Sequence, residues 1–546
     1  MRFSRYSILL FILLALVCSA ADAATQTSPA PSYFHSLFVR PSSPTQVPGP
    51  KNLQEYVSGN RLRLGLRDAI KLALLNDTDV RLNELQLQLV SLGVNRARGQ
   101  FDPIFTSSFA PTRSNTPATS TLDSGSSTFS QLTHRATLGY SQLFATGTSY
   151  SISFNGNRSA TNSQYSFLNP AYNSSLSFNL SQPLLRKRGI GITRAPIIIA
   201  QRTVKQSRAT FQAQMSDSIA KVVGQYWDAL QSRKDLEVVR KSLELAETTY
   251  KQNKRALELG ALPPLDIYRS EAQVAQRKLA LIQAEYRLKQ VEDELRRTLG
   301  ADLDSDINAL DLDLTENVES AGEFAVVDAH ESLQRALVNR PELEALRVQI
   351  ANDETNIDVA NNNLKPDLSL NGFYTTNGTG GNYIDRETGE VVTHGGFGDS
   401  WHQLTRFDYA TYGVTLQLRL PLRNRAASAD LGSALISKRK SLYLLRQREQ
   451  AIRLEVKNAV NQLEQAKLSI AAAKVSRDVA QKNMEAEQRK FELGAQTIFF
   501  VLDAQTQLAQ AEQDLAHSQI GYQRALTALD RACGLLLTTH QVEIEN

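Results

Sequence analysis

The chain has 546 residues, of which 60 are Lys or Arg and 56 are Asp or Glu. Because basic residues are spread beside acidic ones in nearly equal number, the charge balance argues against a nucleic-acid-binding protein. This length suggests about three or four domains, but the internal repeat described below favours one interlocked unit.

The N-terminus predicts a secretory signal peptide at residues 1–23. Arg2 and Arg5 precede an apolar run at positions 8–17, and small residues surround the predicted cleavage site. Lipidation of Cys18 is disfavoured, because the valine before it stands where a lipoprotein signal needs a small residue. Cleavage leaves Cys533 as the one cysteine of the mature sequence, and we expect it to pack in a late helix.

Periodicity then predicts the elements in chain order. Residues 24–60, rich in Pro, Ser and Thr, predict a flexible linker. Apolar residues three and four apart predict helices at about 64–98, 194–259, 266–299, 331–363, 424–492 and 503–533. Apolar–polar alternation predicts strands around 151–154, 176–181, 367–374 and 412–420. Loops are expected at 112–132 and at the Gly-rich stretch 375–408, and an irregular acidic joint at 301–328.

The two halves repeat the same order of elements at matching intervals. The interval from Asn76 to Pro103, 27 positions, recurs between residues 339 and 366. The turn glycines Gly260 and Gly494 each precede a later glycine by 40 positions. We therefore predict a first repeat at 61–300, an inter-repeat segment at 301–330, a second repeat at 331–535 and a short tail at 536–546.

The first repeat is longer by roughly 25 residues. Its extra piece is predicted to be a hairpin near residues 133–157, with its turn at Gly147. Because the second repeat lacks this hairpin, we expect its removal to leave assembly intact. Four strands, or six with the hairpin, are too few for one chain to close a membrane barrel, which takes at least about eight strands. A spanning sheet must then be shared between copies, and closed cyclic symmetry is the ordinary way to share it.

The chain resembles the TolC-like outer-membrane efflux protein family over nearly all of its mature length. The residues that carry the resemblance are Ala69 to Asn76 with Ala336 to Pro341, Pro103 and Pro366 before the strands, Gln182 to Leu185, and Gly494 to Gln505. The resemblance implies a mainly α fold with β-structure, built as a duplicated helix–strand–strand–helix repeat. It also implies a homotrimer whose outer-membrane β-barrel continues into a long periplasmic α-helical barrel.

The function that the resemblance implies is a passive exit duct of a tripartite efflux pump or a type I secretion system. The implied location is the outer membrane, with the helices extending into the periplasm. The implied partners are outer-membrane lipid, a periplasmic membrane-fusion adaptor protein and, indirectly, an inner-membrane transporter. No cofactor, metal, catalytic residue or nucleic-acid partner is expected.

The resemblance also assigns roles at the two tips where a long helix turns back. Asp503 matches one position of an acidic ring at the periplasmic gate, whereas Phe500 occupies the other ring position. The remaining gate candidates are Phe499 and Asp266, and the candidates for adaptor contact are Gly260, Leu262, Gly494 and Thr497. With one carboxylate position lost to an aromatic residue, the paired phenylalanines favour an apolar constriction.

Two other classes stay open on the residues alone. A secreted or periplasmic coiled-coil scaffold or adhesin without a pore would account for the helices, but it needs no amphipathic strands. An envelope hydrolase is disfavoured, because no serine stands in a nucleophile-elbow pattern. His394 and His402 lie in the Gly-rich stretch without Cys or acidic partners at metal-ligand spacing.

Overall fold

The computed structural model describes residues 47, 49–118, 127–163, 165–259, 264–317, 327–385 and 388–542. The predicted signal peptide and most of the predicted linker lie outside these residues. The linker was expected to reach residue 60, but a 3-10 helix at Leu53–Tyr56 already buries Leu53 and leads into strand β1 (Val57–Ser58). The folded chain therefore begins earlier than predicted, because one leucine in the polar segment packs into the core.

Helices make up most of the described chain. In chain order they are α1 (Leu66–Asn76), α2 (Thr78–Arg98), α3 (Ile190–Thr193), α4 (Ala195–Glu258), α5 (Pro264–Leu299), α6 (Ser305–Asn308), α7 (Ala329–Asn339), α8 (Pro341–Leu364), α9 (Phe397–Arg406), α10 (Arg425–Glu492), α11 (Ile498–Cys533) and α12 (Leu536–Thr539). At 1.5 Å per residue, α4 and α10 extend about 96 Å and about 102 Å. Within the described ranges, no helix is both long enough and apolar enough to cross a membrane.

The long helices form because their apolar residues recur at three- and four-residue spacing. In α4 this stripe includes Phe211, Met215, Ile219 and Tyr226, and each of them is buried. α4 pairs with α5 and α10 pairs with α11, so each repeat ends in a helical hairpin, and α4 also packs against α11. The packing of the hairpins therefore joins the two repeats along their length.

The remaining strands are β2 (Arg61–Leu64), β3 (Ile104–Pro117), β4 (Thr128–Leu143), β5 (Ser149–Thr161), β6 (Leu168–Pro183), β7 (Asp311–Leu314), β8 (Asp367–Ile384), β9 (Val391–Thr393) and β10 (Tyr409–Arg419). The larger sheet has the antiparallel order β10-β8-β6-β5-β4-β3, with β9 beside β8. The predicted combination of a mainly α fold with β-structure is confirmed.

The larger sheet has one apolar and one polar face, because side chains alternate along each strand and register partners share a face. One row across the six strands is Phe105, Tyr140, Ile152, Phe178, Tyr374 and Tyr412. The adjacent row, on the other face, is Thr106, Gly139, Ser153, Ser177, Thr375 and Thr411. This alternation continues along most of the sheet and matches the predicted amphipathic strands.

The extra hairpin of the first repeat consists of β4 and β5 and lies inside the sheet. Its turn forms where Phe144 N–H donates to Thr148 O at 2.8 Å and Gly147 adopts a φ of 89°. A side chain at Gly147 would also lie 2.7 Å from the Lys187 carbonyl oxygen, so only glycine fits. The hairpin is therefore part of the sheet, and its neighbours β3 and β6 run in opposite directions.

Two stretches predicted as loops contain regular structure. In the stretch 112–132, β3 continues to Pro117 and β4 begins at Thr128. In the Gly-rich stretch 375–408, β8 continues to Ile384 and is followed by β9 and α9. Glycine has no side chain to mark a strand face, so periodicity could not reveal the end of β8.

The acidic joint between the repeats was predicted to be irregular, but it contributes strand β7 to a second sheet of order β1-β2-β7. β7 pairs with β2 in parallel and buries Leu312 and Leu314 in the core. The Tyr226 hydroxyl donates to Leu64 O at 3.2 Å, and burial raises the pKa of Tyr226 to about 12. The joint is thus held by a buried helix–sheet contact.

Candidate functional site: the tips of the helical hairpins

The second tip is a capped turn. α10 ends at Glu492, and Gly494 adopts a φ of 72°. Gly494 N–H donates to Phe491 O and Ala495 N–H donates to Lys490 O, both at 2.9 Å, which is the pattern of a glycine C-terminal cap. Thr497 occupies the N-cap position of α11 without a side-chain cap hydrogen bond.

The return helix was predicted to open at Asp503, and this boundary is wrong. α11 begins at Ile498, so Asp503 lies in its second turn and does not cap the helix. The helix begins earlier because Ile498, Val501 and Leu502 are buried and pack with Phe491 of α10. This apolar contact fixes the rotation of α11 at the tip.

The gate candidates of this tip lie on the surface of the chain. Phe499 and Phe500 are 51% and 45% exposed, with ring centroids 5.4 Å apart in an edge-to-face arrangement. The Asp503 carboxylate is exposed and accepts a hydrogen bond of 2.7 Å from Gln507 Nε2, one turn farther along. The second tip therefore presents two aromatic rings and one carboxylate beside a buried cluster.

The first tip lies between α4 and α5, and two of its candidates, Gly260 and Leu262, fall outside the described residues. Asp266 lies in the first turn of α5, with its carboxylate 3.5 Å from Arg269 Nη1. A carboxylate at this position is stabilised by the helix dipole. The structure therefore shows a local role for Asp266 at the helix start, and its role at the gate stays a prediction.

Contacts between the two tips involve residues that the sequence did not single out. The Arg269 guanidinium lies over the Phe499 ring, 5.9 Å from its centroid. Thr506 Oγ1 accepts hydrogen bonds from Gln273 Nε2 at 3.2 Å and from Arg277 Nη2 at 2.7 Å. Burial lowers the pKa of the Arg277 guanidinium. These three α5 residues recur every fourth position on one helix face, and that spacing could have pointed to them.

A buried polar layer lies beneath these contacts. Asn253 Nδ2 donates to Ser270 Oγ at 2.7 Å, which joins α4 to α5. Gln505 Nε2 donates to Thr249 Oγ1 at 3.3 Å, which joins α11 to α4. All four side chains are buried, so breaking either bond would leave a polar group without a partner away from water. The layer therefore specifies how the two hairpins align.

Among the described residues, no group of three or more His, Cys, Asp and Glu side chains is placed to hold a metal ion. The geometry instead combines an amphipathic sheet with two helical hairpins whose tips contact each other. This is the architecture of a subunit of an outer-membrane channel.

The chain belongs to the outer membrane efflux protein family, whose profile matches residues 149–301 and 332–535. It is an outer-membrane efflux channel, and the predicted family, function and location are confirmed. The alternative of a coiled-coil scaffold or adhesin without a pore is not supported. The family is one of channel and transport proteins, not one of enzymes.

Individual relatives agree with this assignment. The chain is 23% identical over 349 residues to outer membrane protein TolC of Vibrio cholerae serotype O1, covering 62% of this chain and 72% of TolC. The Campylobacter jejuni CmeC outer membrane channel has a TM-score of 0.62 at 15% identity, covering 94% of each chain. The open-state Neisseria gonorrhoeae MtrE outer membrane channel has a TM-score of 0.57 at 17% identity, covering 90% of this chain and 98% of MtrE. At these identities the solved structures establish the fold alone.

Proposed function

We propose that three copies of this chain form the exit duct of a tripartite efflux or secretion system, with the large sheet closed into a barrel between copies. The observation that carries this proposal is the geometry of the sheet edges. In the described chain, β3 and β10 each have a strand neighbour on one side only. The sheet consists of six successively antiparallel strands, so its two edge strands, β3 and β10, run in opposite directions. When copies are related by rotation about the barrel axis, β10 of one copy therefore runs antiparallel to β3 of the next.

The side chains at both edges support closure within a lipid bilayer. On β10, Val414, Leu416 and Leu418 are strongly exposed, and they share a face with Phe105 and Phe109 of β3 through the sheet. An apolar band of this kind is expected where a closed sheet meets lipid, with the polar face turned to the lumen. Threefold closure would give 18 strands, a size that leaves an aqueous channel.

The helices also carry surfaces suited to neighbouring copies. On α2, Leu82, Leu85, Leu89 and Leu92 are all exposed at spacings of three and four residues. An exposed apolar stripe of this length is unusual for a monomer and is expected at a protein interface. We propose that adjacent copies cover it, so that the helices enclose the duct below the membrane.

At the tips, we propose that Asp503, Phe499 and Phe500 line the periplasmic constriction. The buried contact of α11 with Phe491 supports this, because it turns these three side chains away from the chain's own core. We further propose that the turns around Gly494 and Thr497, together with Gly260 and Leu262, meet a periplasmic adaptor protein. The adaptor would in turn couple the duct to an inner-membrane transporter.

Charge placed on the two faces of β10 tests this proposal. A Val414→Arg variant puts a cation on the proposed lipid face at the level of Gly372, five residues into β8 and about 13 Å along a barrel axis. Near the bilayer midplane such a charge costs about 2–4 kcal/mol. The neighbouring Thr415→Arg variant puts the same charge on the polar face. We expect native mass spectrometry in detergent to find a trimer for the wild type and Thr415→Arg, and loss of the trimer for Val414→Arg. A monomeric wild type without channel activity in planar bilayers would refute closure between copies.

Adaptor contact needs a separate measurement. A photo-reactive side chain introduced at Thr497 is expected to cross-link to a periplasmic protein in intact cells, whereas one at Thr527, far along the same helix, is not. Equal cross-linking at both positions would argue against a docking role for the tip.

A further inference from the structure

Helix α9 lies on the large sheet where three strands carry small residues. Gly156, Ser174 and Gly378 are register partners on β5, β6 and β8. Ser400 of α9 is fully buried there, and its hydroxyl donates to Gly378 O at 2.8 Å. A Cβ at Gly378 would lie 2.9 Å from the Ser400 carbonyl carbon and closer still to its oxygen. The helix backbone therefore approaches the sheet as closely as glycine allows.

The face that α9 covers is the apolar one. The row of small residues lies two positions from the row of Phe154, Leu176 and Thr376, so both rows share a face. The Trp401 ring meets the Phe154 ring edge-on, with centroids 5.6 Å apart. Thr376 Oγ1 donates to Leu404 O at 3.4 Å. α9 therefore does not lie on the polar face proposed to line the lumen.

The position of α9 along the strands coincides with the end of the apolar band. β8 begins at Asp367, directly after α8, and Gly378 lies 11 residues farther on. With about 3.3 Å per residue and a strand tilt of about 40°, this corresponds to roughly 28 Å along a barrel axis. An outer-membrane barrel has an apolar band about 25 Å tall, so α9 lies at its far boundary.

At the level of the first turn of α9 the same face becomes polar, because Tyr172 is the register partner of Gly380, which lies against that turn. Arg158 Nε donates to the Tyr172 hydroxyl at 3.2 Å, and Arg158 Nη1 lies 3.5 Å from His134 Nδ1. This row follows the row of small residues by two positions on β4, β5 and β6. The chemistry of the face thus changes from apolar to charged at the level of the helix.

The outward surface of α9 carries aromatic side chains. Phe397 and Trp401 are 45% and 43% exposed, their ring centroids are 6.1 Å apart, and Phe407 follows directly after the helix with half of its surface exposed. Arg406 ends the helix with an exposed charge. Aromatic rings with polar edges concentrate at membrane–water interfaces, because one part of the side chain stays apolar while another stays hydrated.

We propose that α9 is an interfacial helix that contacts lipid headgroups of the outer leaflet, in a structure whose apolar strand face meets lipid. The inference rests on the proposed function for that orientation. A neighbouring copy is a poorer candidate for contact with α9, because α9 covers β6 and β8, which both lie inside the sheet, and neighbouring copies would join at the edge strands β3 and β10. Three such helices would form a collar that sets the depth of the channel in the membrane.

The chain has two tryptophans, so fluorescence can test the proposal. Trp227 lies on α4, is buried in the hydrophobic core and packs edge-on against Tyr226, whereas Trp401 is on α9. In proteoliposomes, lipid brominated near the headgroup should quench most of the Trp401 emission, and lipid brominated near the chain end should quench less. A Trp401→Phe variant leaves only Trp227 and should show no quenching by either lipid.

Each other outcome overturns the headgroup contact. Quenching by aqueous iodide alone would place α9 in water, and stronger quenching by the deep bromine would place it inside the hydrocarbon layer. Protection of Trp401 from all three quenchers would indicate a protein partner, including a second copy. Conductance of the same preparation in planar bilayers separates the two proposals. Channel activity without quenching by either lipid would refute only the interfacial helix. Absence of channel activity would refute the proposed function as well.

Discussion

A single methyl group added at Gly378 should weaken the packing of α9 against the sheet. In a Gly378→Ala variant, the new Cβ would lie 2.9 Å from the carbonyl carbon of Ser400, whereas ordinary contacts begin at 3.4 Å. The obstacle is backbone, which cannot rotate away as a side chain would, and the Ser400 carbonyl oxygen lies closer still, so the helix must withdraw by more than the roughly 0.5 Å that the carbon alone requires. Overpacking of this kind costs about 1–3 kcal/mol.

That cost corresponds to about a 5- to 150-fold shift toward detached α9, at 1.4 kcal/mol per factor of ten. Hydrogen exchange measured by mass spectrometry reports such local opening, so amides 397–406 should exchange faster by the same factor. Gly372→Ala is the matched control, because Gly372 lies on the same face of the same strand with no atom within 4 Å of a new Cβ. Unchanged exchange in Gly378→Ala, or equal acceleration in the control, would refute the reasoning.

Three further perturbations address the tips and the extra hairpin. Asp503→Asn should lower cation preference in planar bilayers, because it removes an exposed carboxylate at the proposed constriction. Thr506→Val removes the acceptor of two inter-hairpin hydrogen bonds, each worth about 0.5–1.5 kcal/mol, and should raise the ratio of open to closed channels by about 5- to 150-fold. Deleting residues 133–157 removes most of β4 and β5 and should leave heat-stable oligomers, because the part of β3 that loses its partners can pair with β6 in antiparallel fashion with matching faces.

Matched controls make these outcomes decisive. Asp514→Asn changes an Asp–Gln pair of the same kind on the same helix, away from the tip, and should leave ion selectivity closer to wild type. Thr527→Val removes a hydroxyl that donates to Gln523 O of its own helix, and should not alter gating. Equal effects of tip and control variants would remove the assignments of Asp503 and Thr506. Loss of the oligomer on deletion would show that the hairpin is needed for closure of the sheet.

Periodicity predicted the long helices and the amphipathic strands because each is set by a local repeat of apolar residues. The stripe from Phe211 to Tyr226 needs only the 3.6-residue turn to produce one buried face. The turns at Gly147 and Gly494 were also predictable, since both positions have positive φ and glycine tolerates it. The family followed from the order and spacing of these same features.

Features that depend on distant partners were not predictable in this way. Strand β7 looked like an irregular acidic joint because its partner β2 lies 250 positions earlier, where Arg61 pairs with Asp311. The first turn of α11 was missed because its boundary depends on packing against Phe491 of another helix. Likewise, the hydrogen bond of Arg277 to Thr506 joins residues 229 positions apart.

The sequence by itself determined the long helical hairpins, the two-faced strands and the family, because local periodicity and spacing encode them. Only the tertiary structure decided that the hairpin of β4 and β5 lies inside the sheet, that the Gly-rich stretch carries α9, and that the two tips share hydrogen bonds. The physical reason, in the case of α9, is that the close approach of the helix to the sheet depends on side chains that are absent from the strands. Gly378 carries no pattern of its own, and its role appears only when Ser400 occupies the space that a side chain would fill.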